Sequence, residues 1–372
     1  EEAALMNHQL LEHRLDCLTK AYKIPAWGFV VYHHQREVFR RLGGYSDYAA
    51  TVPTAKDDVY WLYSMTKLAT CAAAMRLWQE GKLRLEDEVS AYLPAFANVR
   101  VKDGGTLRPP KTPLTVFHLF TMTGGLDYDN APLLNRSGDA ATQDALVNAI
   151  AEKPLLFDPG TQYLYSLSHD VLTGVIASAS GMPYEQYLQT TLFAPLGMTE
   201  TRFLTCAADC PRLSAQYQYQ SGAIVPYTME NNYVFSPAYR SGGAGLCSTL
   251  DDYILLLNAL ANGGVGANGA RILAEESVRE MTVNRLNPAQ QETFTAWRPG
   301  YGYGLGVRTR VQDASNPEHC VEFGWDGAAG AYGLMDLGNH LAVLYMQHVR
   351  FCAPANSVHN ALRETVYEAL RT

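Results

Sequence analysis

The sequence has no excess of basic residues and no long apolar run. Its 29 Lys and Arg residues stand against 37 Asp and Glu residues, so the 372-residue chain carries a net charge of −8. Nucleic-acid-binding surfaces need a basic patch or stripe, and this balance predicts no nucleic-acid partner. No uninterrupted apolar stretch reaches membrane length, which predicts no membrane span.

Cysteine is also sparse. The chain has seven, which are Cys17, Cys71, Cys206, Cys210, Cys247, Cys320 and Cys352. An odd number spread this thinly is not a disulfide framework, and no second close pair follows Cys206 and Cys210 to complete a zinc site. We expect reduced, mostly buried thiols and no metal, with a single Cys206–Cys210 bridge left open.

This thiol usage favours a cytoplasmic location. The first residues, Glu1–Leu5, lack the basic and apolar segments of a secretion signal, although a signal that had been trimmed would leave the same start. A glycine pattern at Gly264–Gly269 follows a helix and not a strand, so it does not indicate a dinucleotide site. We therefore expect no cofactor.

The order of apolar patterns predicts the fold. Helices are expected over 4–22, 64–80, 171–180, 184–193, 250–260 and 358–370, strands over 26–32, 37–42, 303–310, 320–323, 331–336 and 341–347, and turns over 211–249. Strands at both chain ends should join in one antiparallel sheet with the terminal helices packed on it. The prediction is an α/β (α+β) fold, with residues 1–60 and 241–372 forming the sheet domain.

Residues 61–240 would then form a mainly helical domain, and the cleft between the two domains is the expected site. Ser64 and Lys67 lie at the passage between them. If Ser64 opens a helix, Lys67 comes round onto the same face, within reach of the serine hydroxyl. A Ser-x-x-Lys pair is a nucleophile with a proton acceptor beside it.

Such a pair needs another proton-transferring group. Tyr163 and Tyr165 follow a Pro-Gly turn and precede a helix, and both are candidates. A neighbouring ammonium would lower the pKa of such a tyrosine by favouring the phenolate. Near the C-terminus, the glycine-rich run from Phe323 to Tyr332 resembles a strand that a substrate can approach closely, with one backbone N–H completing an oxyanion hole beside that of Ser64.

Together these pieces resemble a known superfamily. Ser64-Met65-Thr66-Lys67, Tyr165-Ser166 and Trp325-Asp326-Gly327 have the order and rough spacing of the serine β-lactamases and penicillin-recognising enzymes. The similar branch is the class C β-lactamase-like, or family VIII, carboxylesterases. Stretches at 115–126, 195–198 and 242–249 support the resemblance, which implies a β-lactamase/transpeptidase-like fold.

The resemblance also implies roles for residues. Ser64 would be the acylated nucleophile, Lys67 its proton partner and Tyr165 the base. Trp325, Asp326 and Gly327 would form the substrate edge where lactamases have Lys-Thr-Gly, and the resemblance assigns the second oxyanion donor to the N–H of Ala328.

Two departures from the superfamily pattern bear on the substrate. Leu167 replaces an asparagine, and Trp325 replaces the lysine that would attract a β-lactam carboxylate. An apolar wall of Leu167 and Trp325, with Tyr128 at the mouth, suits a neutral ester. The predicted protein is a serine hydrolase acting on a small-molecule ester or amide. An acyltransferase, a D-amino acid amidase, a weak β-lactamase and a non-enzymatic binding protein remain alternatives, and the oligomeric state is not predicted.

Overall fold

The computed structural model describes residues 6–311, 322–351 and 355–371. Within these ranges the strands are β1 (Ala26–His33), β2 (Arg36–Gly44), β3 (Val59–Trp61), β4 (Val101–Asp103), β5 (Thr106–Arg108), β6 (Arg202–Phe203), β7 (Tyr217–Gln220), β8 (Ala223–Pro226), β9 (Leu246–Thr249), β10 (Tyr301–Tyr303), β11 (Arg308–Arg310), β12 (Glu322–Asp326), β13 (Tyr332–Asp336), β14 (Leu341–Gln347) and β15 (Val349–Arg350). The helices are α1 (His8–Ala21), α2 (Thr66–Gln79), α3 (Val89–Tyr92), α4 (Val116–Thr121), α5 (Ala131–Leu134), α6 (Gln143–Ala149), α7 (Ser168–Ser180), α8 (Tyr184–Leu188), α9 (Ala194–Leu196), α10 (Leu250–Ala261), α11 (Glu275–Thr282), α12 (Pro288–Trp297) and α13 (Ala355–Arg371). None of these helices is long and apolar enough to cross a bilayer.

The main sheet joins the two ends of the chain. Its seven strands run in the order β10-β11-β12-β13-β14-β1-β2, and every neighbouring pair is antiparallel. Phe29 of β1 lies opposite Tyr345 of β14. All of β14 is buried because both faces of the sheet are covered, which explains its nearly continuous apolar sequence. The predicted antiparallel sheet is confirmed.

The two faces of the sheet bury different partners. Phe29 packs in one apolar cluster with residues of the two terminal helices, Leu11 of α1 and Leu362 of α13. Its neighbour Val30 points the other way and packs with Leu257 of α10. The alternation follows from the two-residue period of a strand. The terminal helices therefore cover one face, as predicted, and α10 covers the other.

Helix α2 is the centre of the helical part. Every residue from Thr66 to Met75 is buried, and small residues such as Ala69, Ala72 and Ala73 let neighbouring helices approach closely. Helix α7 packs against α2, and α4 and α6 pack against α7 in turn. The structure confirms the predicted fold class, while the division into domains at residues 61 and 240 stays a prediction.

Two regions differ from the expectation. The segment predicted as turns over 211–249 contains β7, β8 and β9. Strand β7 pairs with β8 and with the distant β15, and β9 pairs with β3 and β6. The predicted strand over 303–310 is two strands, because Gly304 and Gly306 turn the chain beside Met281. The first part of the strand expected over 320–323 lies outside the described residues. Cys320 and Cys352 also lie outside them. Cys206 and Cys210 are free thiols and form no bridge.

Candidate active site

A sharp turn presents Ser64. It lies in a one-turn 3₁₀ helix, Tyr63–Met65, that leads directly into α2. The Leu62 N–H donates to the Leu246 carbonyl at 2.9 Å, which ties the turn to β9. Tyr63 has a φ of 45°, a left-handed conformation that a non-glycine residue adopts at a cost. The structure thus holds the half-buried Ser64 side chain in a strained and well-anchored turn.

Lys67 lies one turn further along and is fully buried. Its Nζ donates to Ser64 Oγ at 3.2 Å, to the Tyr128 hydroxyl at 2.9 Å and to the Gly243 carbonyl at 2.7 Å. The structure therefore brings Ser64 and Lys67 together, as their spacing predicts. Three hydrogen bonds leave Nζ little freedom to move away from the serine.

Burial also changes the charge of Lys67. Loss of solvation lowers the pKa of Lys67 to about 7, although the nearby Asp170 carboxylate acts in the opposite direction. A substantial fraction of Lys67 is therefore the neutral amine at neutral pH. A neutral amine beside a serine hydroxyl can accept its proton.

Tyr165 lies beside both Lys67 and Ser64. The face of its ring is 4.7 Å from Lys67 Nζ, and Trp325 donates its indole N–H to the Tyr165 hydroxyl at 3.1 Å. Burial raises the pKa of Tyr165 and outweighs the hydrogen bonds with Ser64 and Trp325, which lower it. The predicted lowering of this pKa is wrong, because Lys67 meets the ring face and desolvation dominates. Tyr165 rests as a neutral phenol.

The other two tyrosines have different positions from those expected. Tyr128, predicted at the mouth, lies deeper: its hydroxyl contacts Lys67, and its ring centroid is 5.3 Å from that of Tyr165. A hydrogen bond with Ser64 lowers its pKa, but burial raises it well above the ordinary value. Tyr163 is buried and packs against Phe294 and Tyr303 at centroid distances of 5.1 and 5.6 Å, which makes it a packing residue.

The β12–β13 hairpin closes the site. A Cβ atom on Gly327 would lie 2.4 Å from the Leu62 carbonyl oxygen, so the hairpin turn packs directly on the segment that leads to Ser64. The backbone N–H groups of Ser64 and Ala328 have no hydrogen-bond partner within the described residues. Both are therefore available to an oxygen of a substrate.

Asp326 of the predicted substrate edge and Leu167 of the predicted apolar wall do not face the cleft. Asp326 is 6% exposed, and its carboxylate accepts from Arg308 at 2.5 Å and pairs with Arg298 at 2.7 Å. It points away from Trp325 because side chains alternate along β12. Leu167 is 2% exposed and belongs to the core, where its N–H donates to the Asp127 carbonyl. Neither side chain is exposed to a substrate. Trp325, the other member of the expected apolar wall, is also buried, at 1% exposed.

Comparison with known proteins decides the family. Residues 9–364 match the Beta-lactamase family. The chain belongs to this family. It is 31% identical over 344 residues to Protein Rv1367c of Mycobacterium tuberculosis, covering 86% of each chain. It is 29% identical to Esterase EstB of Burkholderia gladioli, with 91% of this chain and 89% of that protein covered.

A solved structure supports the same relationship. "EstCE1, a hydrolase with promiscuous acyltransferase activity" superposes with a TM-score of 0.80 at 25% identity, covering 97% of this chain and 99% of the other. The recognised superfamily is confirmed, and these relatives show that this β-lactamase-family chain is a serine hydrolase. The alternative of a non-enzymatic binding protein is thereby set aside.

This β-lactamase-family site is lined by aromatic rings. The aromatic wall consists of Tyr128, Tyr165, Tyr233 and Trp297, with ring centroids of neighbours 5.3–6.0 Å apart. Trp325 is 1% exposed and packs behind this wall, in ring contact with Tyr165 and Trp297. Trp297, at the end of α12, is 41% exposed. Sequence reasoning missed it, although a tryptophan in an otherwise polar helix was a signal.

Sequence reasoning also missed Asp170. Its carboxylate is 1% exposed and lies near Lys67. The neighbouring His169 is fully buried beside Cys71, whose Sγ is 3.6 Å from His169 Nε2. Among the described residues, no group of three His, Cys, Asp or Glu side chains could hold a metal.

Proposed function

We propose that the protein cleaves neutral carboxylic esters through an acyl-Ser64 intermediate. One observation carries the proposal: Lys67 Nζ is 3.2 Å from Ser64 Oγ, in a buried position that favours the neutral amine. The serine therefore has a proton acceptor in contact with it. The similarity to Esterase EstB and to EstCE1 supports ester cleavage as the reaction.

In the acylation half-reaction, Ser64 Oγ bonds to the ester carbonyl carbon and its proton passes to neutral Lys67. The Ser64 and Ala328 N–H groups would hold the oxygen that becomes negative. When the carbon–oxygen bond breaks, the Tyr165 phenol gives its proton to the departing alkoxide. The phenolate that remains accepts the Trp325 indole hydrogen bond.

Deacylation returns every proton. Water attacks the acyl-enzyme and loses a proton to the Tyr165 phenolate. Ser64 leaves as the carbon–oxygen bond breaks, and it takes back the proton that Lys67 holds. This assignment gives Lys67 and Tyr165 opposite protonation states at rest, which agrees with the lowered pKa of Lys67 and the raised pKa of Tyr165.

The aromatic wall favours a neutral, apolar substrate. Trp325 stands where lactamases have a lysine, so the site lacks that cation for a β-lactam carboxylate. Arg298 lies over the Trp297 ring at 4.8 Å, but its charge is paired with Asp326. We therefore consider weak β-lactamase and D-amino acid amidase activities less well supported than ester cleavage.

A second candidate uses the same acyl-enzyme. In an acyltransferase, an alcohol or amine would replace water in deacylation. The similarity to EstCE1, a hydrolase with promiscuous acyltransferase activity, supports this candidate. Product analysis with an added alcohol separates the two, because transfer that outruns hydrolysis identifies an acyltransferase.

Turnover of p-nitrophenyl esters tests the proposal. The Ser64→Ala variant should lose turnover by several orders of magnitude, because nothing replaces the nucleophile. The matched control is Ser178→Ala, since Ser178 is exposed on α7 and should be dispensable. Wild-type protein that hydrolyses no ester in a panel of acyl lengths, or a Ser64→Ala variant as active as the control, would refute the proposal.

A further inference from the structure

A buried carboxylate lies on the far side of Gly243 from the catalytic lysine. Asp170, in the first turn of α7, is 1% exposed. Its Oδ1 accepts from the Tyr239 hydroxyl and from Ser241 Oγ, both at 2.7 Å. Its Oδ2 faces the Gly243 backbone, where a Cβ atom would lie 2.5 Å away.

Gly243 links this carboxylate to Lys67. The Gly243 carbonyl accepts from Lys67 Nζ at 2.7 Å, and the same Cβ position is 3.4 Å from Nζ. Only one glycine therefore separates the two charges. Burial raises the pKa of Asp170, whereas the hydrogen bonds from Ser241 and Tyr239 and the charge of Lys67 act in the opposite direction and favour the carboxylate. Neither group reaches solvent, and a charge pair in the interior is screened far less than one at the surface.

The other titratable groups that face Lys67 do not supply a negative charge. Tyr128 and Tyr165 are phenols whose pKa values are raised by burial. Burial also raises the pKa of the Cys71 thiol, and it lowers the pKa of His169 to about 3. Within the described residues, Asp170 is thus the carboxylate that acts on Lys67.

We propose that Asp170 is a positioning residue whose negative charge holds the Lys67 amine against Gly243 and makes its deprotonation harder. The site then contains two opposing effects, since burial drives Lys67 toward the neutral amine while Asp170 retains the ammonium. The balance sets the pH at which Lys67 becomes a proton acceptor. This inference rests on the proposed role of Lys67 toward Ser64.

The test is the Asp170→Asn variant, which removes the charge and keeps an oxygen for Tyr239 and Ser241. The rising limb of kcat/KM against pH should move to lower pH by about one unit. Ser241→Ala removes the hydrogen bond that Ser241 donates to Asp170 and the one that it accepts from the Ala244 N–H, and it keeps the Asp170 carboxyl group. Asp144→Asn removes an exposed charge on α6. In both variants, the limb should stay near its wild-type position. A folded Asp170→Asn protein with an unmoved limb would overturn the inference.

A measurement without substrate separates this inference from the proposed function. The ¹⁵N resonance of Lys67 Nζ, assigned by its loss in Lys67→Arg, should titrate at lower pH in Asp170→Asn than in wild type. That result supports the inference even if no ester is cleaved. If the variant does not fold, the wild-type Nζ resonance should still show a second inflection as Asp170 takes up a proton at lower pH, and a single-step titration would contradict the coupling.

Discussion

At the scale of single residues, the site depends on buried ionisable groups whose charged forms are disfavoured by the loss of solvation. Lys67 is fully buried and still has three hydrogen-bond acceptors around Nζ. The ammonium can donate to all three oxygens, and the neutral amine can donate to two of them and accept from Ser64 Oγ, so the amine stays in place in both forms. The physical consequence is a base whose pKa is near neutrality and whose position is fixed, which are the two properties that proton transfer from Ser64 requires.

The pH dependence of activity follows from this setting. Because burial lowers the pKa of Lys67 to about 7, kcat/KM should rise with pH through about 7 as the neutral amine forms. The Lys67→Arg variant should lose activity by about a thousandfold or more, since a guanidinium stays protonated. Steady-state kinetics from pH 5 to 9 measure both. Lys82→Arg, on the surface, is the control, and a flat profile would contradict the role of Lys67.

Paired substitutions distinguish the tyrosines. Tyr165→Phe should lower kcat by about a hundredfold or more, because it removes the proton donor for the departing alkoxide. Tyr128→Phe removes one hydrogen bond to Lys67 and should cost roughly tenfold. Tyr163→Phe, the packing control, should leave kcat nearly unchanged. A larger loss in Tyr128→Phe than in Tyr165→Phe would transfer the proton-donor role to Tyr128.

At the scale of helices and strands, distant segments meet around one turn. Strands β3 and β9, the β12–β13 hairpin and α7 each contribute to the surroundings of Ser64. The motifs Ser64–Lys67, Tyr165-Ser166 and Trp325–Gly327 were identifiable from the sequence because each is a short local pattern. Trp297 and Asp170 were not, because their importance arises from which distant backbone they face, and spacing along the chain does not encode that.

Trp297 should govern preference among esters. It is exposed at the end of α12 and in ring contact with Tyr165, so it offers a surface to a bulky substrate group. Trp297→Ala should raise KM for esters with large apolar groups by roughly tenfold, while acetate esters change little. Kinetics with an acyl-length series measure the difference. The substrates provide an internal control, and equal effects on short and long esters would show that Trp297 has no role in selection.

At the scale of the whole molecule, the sheet built from both chain ends positions the β12–β13 hairpin, which closes the site. The apolar runs of β1 and β14 were sufficient to predict that pairing, since buried strands have recognisable patterns. The raised pKa of Tyr165 could not be predicted, because desolvation depends on all surrounding groups together. The half-exposed strands β7 and β8 escaped prediction for a similar reason, since β8 pairs only with β7 and the other partner of β7, β15, is more than a hundred residues away.

Buried histidines should make stability depend on pH. His348 is neutral in the fold: one ring nitrogen donates to the Ser214 carbonyl at 2.9 Å and the other accepts the Trp61 N–H at 3.3 Å. Burial lowers the pKa of His348 to about 4 from 6.5, so the unfolded chain binds a proton first as pH falls. His348 therefore contributes stability that is present above pH 6.5 and lost as pH falls toward 4.

Denaturant unfolding at several pH values measures this effect. The free energy of unfolding should fall by up to about 1.4 kcal/mol per pH unit for each such histidine. His348→Gln should be less stable at neutral pH and have a shallower slope between pH 6.5 and 4 than wild type. His13→Gln is the control because His13 lies on the exposed face of α1. An unchanged slope in His348→Gln would show that this histidine is not responsible.

The central claim is that Ser64 carries the acyl group. Rapid quenching of the enzyme with a p-nitrophenyl ester, followed by intact-mass measurement and peptide mapping, tests it most directly. We predict a mass increase equal to one acyl group, located on the peptide that contains Ser64, and no increase in Ser64→Ala. An acyl group on any other residue, or ester turnover in Ser64→Ala equal to wild type, would contradict the account.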